Sequence, residues 1–92
     1  MTQPVRDNPD RHRFELDTEA GLAIAVYRRD GNTLAITHTE TPPALRGRGI
    51  ASALVRGLLE LARARGLKVV PRCPFVVAYM AKHPEFADVR GN

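Results

Sequence analysis

The apolar period of the chain changes at Pro42-Pro43, and that change narrows the folds open to it. Upstream the pattern has the period of two that belongs to β-strands. Downstream it has the helical period of about 3.6 residues. Gly21 to Arg29 reads as a strand in which Leu22, Ile24 and Val26 alternate with Ala23, Ala25 and Tyr27. Both sets are apolar, so this strand is expected to be covered on both faces. Asp30-Gly31-Asn32 is a hairpin turn signal. The β-rich run Thr33 to Thr41 returns from it, with Leu34, Ile36, His38 and Glu40 on one face and Ala35, Thr37 and Thr39 on the other. Pro42 and Pro43 end the run, because proline cannot donate to a sheet ladder. Arg13 to Leu16 adds a shorter strand, with Phe14 and Leu16 facing one way.

Past the prolines, Ile50, Leu54, Leu58, Leu61 and Ala62 form one helical stripe, widened by Val55 and Leu59. The helix runs from Ile50 to Arg65. Arg63 and Arg65 complement its C-terminus, and Gly66 is a natural stop. Leu67 to Val70 is a short apolar strand. Phe75 to His83 reads as a second helix, with Pro74 near its first turn and Pro84 beyond its end. Phe86 and Val89 then pack a last turn against the body. The order of elements is that of an α+β layer with helices against a sheet. A chain of 92 residues supports one domain. Residues 1–12, with Pro4, Asn8 and Pro9, read as a flexible N-terminal arm, and residues 13–92 as the domain.

The apolar fraction of 43% is that of an ordinary soluble globule, and no apolar run approaches a membrane span. Met1 to Arg13 is polar and has no apolar signal core, so a cytoplasmic location is expected. The single cysteine, Cys73, can form neither an intrachain disulfide nor a paired-cysteine zinc site. The three histidines and one cysteine show no ligand spacing, so no metal is expected. The net charge of +4 suits an anionic partner, whether a nucleotide cofactor, a nucleic acid or an acidic surface, and also suits plain solubility. With three Phe, two Tyr and no Trp, and no helix-turn-helix or zinc motif, nucleic acid ranks well behind.

The most informative segment joins the two halves: Pro42-Pro43-Ala44-Leu45-Arg46-Gly47-Arg48-Gly49-Ile50-Ala51. The first N–H groups of a helix have no intrahelical partner and carry the positive end of its dipole. An anion there takes hydrogen bonds from backbone amides alone. Gly47 and Gly49 let that backbone approach a pyrophosphate, small Ala51 keeps the first turn open, and Arg46 and Arg48 add charge for phosphates. No Gly-Lys-Ser/Thr follows, so it is not a Walker loop, and its glycine spacing is not that of the dinucleotide fingerprint.

Arg46-x-x-Gly49-x-Ala51 resembles the Gln/Arg-x-x-Gly-x-Gly/Ala pattern of the GNAT acetyltransferases, in the same strand-loop-helix setting. His38-Thr39-Glu40, Pro42-Pro43, Gly66 to Pro71, Cys73-Pro74-Phe75, Tyr79 and His83-Pro84 extend the resemblance to the small Yjdj-type branch, over about residues 13 to 89. The resemblance implies a minimal GNAT-like fold, with a mixed, mainly antiparallel sheet and two helices packed on it. It implies acetyl-CoA as co-substrate, with the pyrophosphate on the amides of Arg46, Gly47, Arg48, Gly49, Ile50 and Ala51. Pantetheine would run along Thr37 to Thr41, so that Thr39 and Thr41 join the cofactor site. The chain lacks the N-terminal helices that usually shape a GNAT acceptor site.

Acetyl transfer to an amine needs a neutral amine, a polarised carbonyl and a proton for the leaving thiolate. Cys73, after a strand and before a helix start, has the setting of an activated thiol, and the resemblance gives it a part in transfer. A lone cysteine also suits a small buried apolar position. His38 and Glu40 alternate onto one strand face, where either can act as base or serve structure. Tyr79, on the second helix, sits where GNAT enzymes often keep a tyrosine that protonates the thiolate. Two functions compete: an N-acetyltransferase acting on an amine of a small molecule or protein, and a CoA-binding module with little catalysis. Either would work as a monomer or weak homodimer.

Overall fold

The computed structural model describes residues 4–91. Its five strands are β1 (Arg6–Asn8), β2 (Arg13–Thr18), β3 (Gly21–Asp30), β4 (Thr33–Glu40) and β5 (Lys68–Pro71), and its two α-helices are α1 (Ile50–Ala64) and α2 (Pro74–Lys82). The strands lie side by side in chain order. Pairing is antiparallel from β1 to β4, and β5 returns across α1 to join β4 in parallel. The sheet is therefore mixed and mainly antiparallel, with the helices packed on it, in an α+β layer. Short 3-10 turns occupy Pro9–Arg11, Pro43–Leu45 and Pro84–Val89.

The helical stripe of α1 is centred on Leu54, Val55, Leu58, Leu59 and Ala62, all buried, with Ile50 and Leu61 half-buried at its margins. Its end is fixed by Gly66 in the left-handed region: Leu67 N–H reaches the Ala62 carbonyl at 2.8 Å and Gly66 N–H the Arg63 carbonyl at 3.2 Å, the two bonds of a Schellman cap. Pro74 opens α2 at a position where a missing N–H is harmless, and Val76, Tyr79 and Met80 bury one side of it. Phe86 and Val89 close the core from the last 3-10 turn.

Three expectations change. The first concerns β3. Ala23, Ala25 and Tyr27 are buried under the helices, but Ile24 and Val26 are only half-buried and Leu22 is 38% exposed. Both helices lie on one face of the sheet, so an all-apolar strand here is covered on one side only. The second concerns residues 1–12. Residues 1–3 lie outside the described residues, but Arg6–Asn8 pairs with β2 as an edge strand instead of hanging free. It is held by tertiary contacts: Asp7 accepts from the Tyr27 hydroxyl at 2.7 Å and from Arg65 at 2.9 Å. Val5 packs against the core beside Gly57 of α1.

The third is the facing of β4. Its register against β3 shifts between Val26 and Tyr27: Tyr27 pairs with Ile36, but Val26 pairs with His38. Thr37 is the extra residue of a β-bulge, and its hydroxyl bonds the Val26 carbonyl at 3.4 Å. Opposed residues of an antiparallel pair share a face. Leu34 and Ile36 therefore face the helices, and so does Thr39 opposite Ala25. His38 and Glu40, opposite Val26 and Ile24, face the bare side. The single face expected for Leu34, Ile36, His38 and Glu40 does not exist, because the bulge flips the alternation once.

Candidate active site

The chain reaches α1 through a loop that satisfies some of its own amides and leaves others open. Leu45 is buried and anchors the loop. Leu45 N–H bonds the Pro42 carbonyl, Arg46 N–H the Pro43 carbonyl at 3.3 Å and Arg48 N–H the Leu45 carbonyl at 3.2 Å. Among the described residues nothing accepts from the amides of Gly47, Gly49, Ile50, Ala51 or Ser52, and the next amide, Ala53, bonds the Gly49 carbonyl at 3.0 Å. The donors expected from Arg46 to Ala51 are thus reduced by Arg46 and Arg48, whose amides close turns. Ser52 is gained; the rule that a helix's first turn lacks acceptors could have found it. Gly47 and Gly49 have φ of 81° and 77°, the left-handed region, and a Cβ at either would meet nothing within 4 Å. Gly49 is the N-cap of α1 and no side chain caps that end. Arg46 and Arg48 are exposed, and neither forms an ion pair among the described residues.

Beside this loop β4 has an open edge. β5 pairs with β4 only as far as Pro71, opposite Ile36. The Ile36 carbonyl then accepts both Arg72 N–H and Cys73 N–H at 3.0 Å, and the chain turns away into α2. Thr37 to Glu40 keep β3 on one side and no strand on the other. The gap opens into a pocket of about 860 Å³. Its walls are the end of β4 from His38 to Glu40, the loop residues Thr41, Pro42, Pro43, Leu45, Arg46, Gly47 and Gly49, and the first turn of α1 from Ile50 to Ser52. Leu22 and Phe75 form its rim.

The four expected catalytic side chains are not together. His38 and Glu40 line the pocket, with His38 Nε2 3.4 Å from Glu40 Oε1, and both are largely exposed. Cys73 is 7% exposed and lies on the core side behind Thr39, whose Oγ1 is 3.5 Å from Cys73 Sγ. Burial pushes the Cys73 thiol up, but the Thr39 hydroxyl and the neighbouring amides of Val76, Phe75 and Thr39 outweigh it and leave the thiol below its ordinary value. Tyr79 is 7% exposed and stacks on His83, ring centroids 4.1 Å apart, and is not part of the pocket wall. Of the expected cofactor residues, Thr39, Thr41, Arg46, Gly47, Gly49, Ile50 and Ala51 line the pocket, and Arg48 stands outside its wall. Leu22 and Phe75 were missed, because an apolar residue in an apolar strand or helix reads as core.

The arrangement matches known proteins. The family model described as GCN5-related N-acetyl-transferase matches residues 13–89. Protein NATD1 of Mus musculus is 30% identical over 86 residues, which cover 88% of this chain and 78% of that protein. Protein NATD1 of Xenopus tropicalis is 33% identical over 85 residues, covering 87% and 78%. The solution structure of a GCN5-like protein from Staphylococcus aureus has a TM-score of 0.71 and 29% identity, covering 94% of this chain and 85% of that one. The matched span runs from the start of β2 through the loop and both helices to Val89, and on that ground the chain is a member of the GCN5-related N-acetyltransferase family.

Proposed function

We propose that this protein transfers the acetyl group of acetyl-CoA to a primary amine directly, without an acetylated cysteine. One observation carries the reading: among the described residues, five with unpartnered amides, just before and in the first turn of α1, line the same pocket as the His38–Glu40 pair. The residues present fit the co-substrate. The amides of Gly47, Gly49, Ile50, Ala51 and Ser52 form a cradle for a pyrophosphate, and the positive-φ glycines keep side chains out of it. Arg46, in the pocket wall, supplies charge for phosphate oxygens, and Arg48, just outside that wall, adds to the local positive field. The open edge of β4, from Thr39 to Thr41, suits an extended amide-bearing arm that pairs as an added strand. Acetyl-CoA, when bound, supplies an activated acyl group with a thiolate leaving group.

On the chain's side, Glu40 holds the incoming ammonium and His38 takes its proton. The freed lone pair forms the C–N bond as the C–S bond breaks, and the second proton of the nitrogen passes through solvent at the open side to the departing thiolate. The products are the N-acetyl amine, CoA and one proton. Cys73 has too little access for the covalent route, and the Thr39 hydroxyl and core packing give it a structural place.

The test has two parts. Calorimetry with acetyl-CoA measures the cradle, and release of free thiol across an amine panel measures turnover. His38→Ala is expected to lower kcat by about 100-fold or more, the usual worth of a positioned base, without weakening acetyl-CoA binding. Cys73→Ala retains turnover. Abolished turnover in a folded Cys73→Ala protein would establish the covalent route instead. Tight binding without turnover on any amine would make the protein a CoA-binding module.

A further inference from the structure

We infer that the acceptor is an apolar monoamine: one ammonium group on a hydrocarbon body, seated on the bare face of the sheet at Leu22, Ile24 and Glu40. This rests on the acetyl-transfer reading above and names the second substrate of the same pocket. The argument begins with access. On the helix side of β4, the space next to Thr39 is filled by Cys73 and the first turn of α2. On the other side no helix of the described residues packs against the sheet, so a second substrate meets the end of β4 from there.

That face is composed of cross-strand rows. One row is Arg6, Glu15, Ile24 and Glu40; the next is Asn8, Arg13, Val26 and His38; Asp17 and Leu22 are paired at the pocket end. The charges on β1 and β2 are committed to one another. Glu15 is 4% exposed, accepts from Arg13 Nε at 2.7 Å and from Asn8 at 3.1 Å, and forms an ion pair with Arg6 at 3.1 Å, and Arg6 also pairs with Asp17. Between this neutralised cluster and β4 lies an apolar strip, Leu22, Ile24 and Val26. On the far side of the strip stands Glu40, whose one ion-pair partner among the described residues is His38. Leu22 and Phe75, each 38% exposed, flank the pocket mouth.

Among the described residues the face therefore offers one carboxylate without an arginine or lysine partner, Glu40, with hydrocarbon behind it and no second such acid within the strip. A single ammonium finds Glu40, and an alkyl or aryl body covers Leu22 and Ile24. A polyamine would leave its second charge over hydrocarbon. A zwitterionic amino acid would bring its carboxylate toward Glu40. The chemistry stays balanced as above: the ammonium loses one proton to His38 and, once the C–N bond has formed, a second that reaches the departing thiolate through solvent, so CoA leaves as thiol.

The experiment compares kcat/KM of the full chain with acetyl-CoA for hexylamine, 2-phenylethylamine, ethanolamine, spermidine and a lysine-containing peptide. Hexylamine and 2-phenylethylamine are expected to exceed ethanolamine by at least about 10-fold, the discrimination that a few buried methylenes provide. Leu22→Ser, at a surface position that does not threaten the fold, is expected to narrow the hexylamine-to-ethanolamine ratio by about 10-fold. If the protein turns nothing over, the same ranking is read by NMR titration of the CoA complex, with shifts at the Leu22 and Ile24 methyls. Preference for spermidine, ethanolamine or the peptide, or no response at Leu22, overturns the inference; acetyl-CoA affinity retained in the same preparation then leaves the cofactor reading standing. Loss of acetyl-CoA binding itself overturns both.

Discussion

Gly49 separates backbone geometry from ligand space, because the fold contains its own control. Gly49 has φ of 77° and Gly31, in the β3–β4 hairpin, has φ of 60°. A Cβ at either meets nothing within 4 Å. Alanine at either site therefore pays the left-handed backbone penalty of about 1–2 kcal/mol and no steric penalty against the protein. For a domain of this size each 1 kcal/mol lowers Tm by roughly 4–8 °C. Gly31→Ala and Gly49→Ala should thus lose similar stability. They should differ in binding. Gly31 lies in the hairpin turn, whereas Gly49 lines the pocket with a free amide on itself and on Ile50. A methyl there stands where a phosphate oxygen must approach. Losing one amide–phosphate hydrogen bond costs about 1.5–3 kcal/mol, or roughly a 10- to 150-fold rise in Kd. Calorimetric titration with CoA on both variants, alongside thermal melts, reads the two effects separately. A folded Gly49→Ala protein that binds CoA as tightly as Gly31→Ala would refute the cradle and every role derived from it.

Two other perturbations test the frame around the site. In Gly57→Ala the new Cβ would overlap the Val5 side chain, so Val5 and the chain leading into β1 must shift away from α1. The variant is expected to lose about 1–3 kcal/mol in urea titration despite alanine's better helix propensity, and in a Val5→Gly background, which removes both overlapping atoms, adding Gly57→Ala is expected to cost markedly less. Glu15 gives the acid limb. The hydrogen bond from Arg13, aided by Asn8 and by the charges of Arg13 and Arg6, holds its carboxyl below the ordinary value despite burial. A depressed folded pKa means stability present above the ordinary carboxylate range near pH 4.3 and lost as pH falls through the folded value. Glu15→Gln should therefore lower Tm at neutral pH and flatten the fall in Tm below about pH 4; an unchanged acid limb would show that Glu15 does not set it.

Much of this architecture was legible because the period of the sequence carries it. The switch at Pro42-Pro43, the Gly66 stop and Pro74 before α2 each act through local geometry, and each lies where the sequence places it. The free amides were legible for the same reason, since a helix start lacks acceptors whatever surrounds it. What escaped depends on partners distant in the chain. Arg6-Asp7-Asn8 is polar and reads as an arm, yet Asp7 meets Arg65, 58 residues away, and Tyr27. Leu22, Ile24 and Val26 read as core because apolar character says nothing about how many helices are available to cover them. With two helices, both on one face, half of that strand becomes surface.

The bulge at Thr37 is the clearest case, and it connects the fold to the chemistry. Thr33 to Glu40 alternates without a break in its own sequence; the extra residue exists only relative to β3. Without it, His38 and Glu40 would continue the face of Leu34 and Ile36 and point beneath the helices. Desolvating such a pair costs several kcal/mol per ion even after relaxation, and no donors there would compensate it. With the bulge, the residue turned inward is Thr39, whose hydroxyl meets Cys73 Sγ, and the ionisable pair is turned outward to the open face. Just past Ile36, β5 parts from β4, and its edge is left unpaired along the residues the bulge has reoriented. The inserted residue therefore sets which face the ionisable pair takes, and the departure of β5 leaves the strand edge open beside that pair.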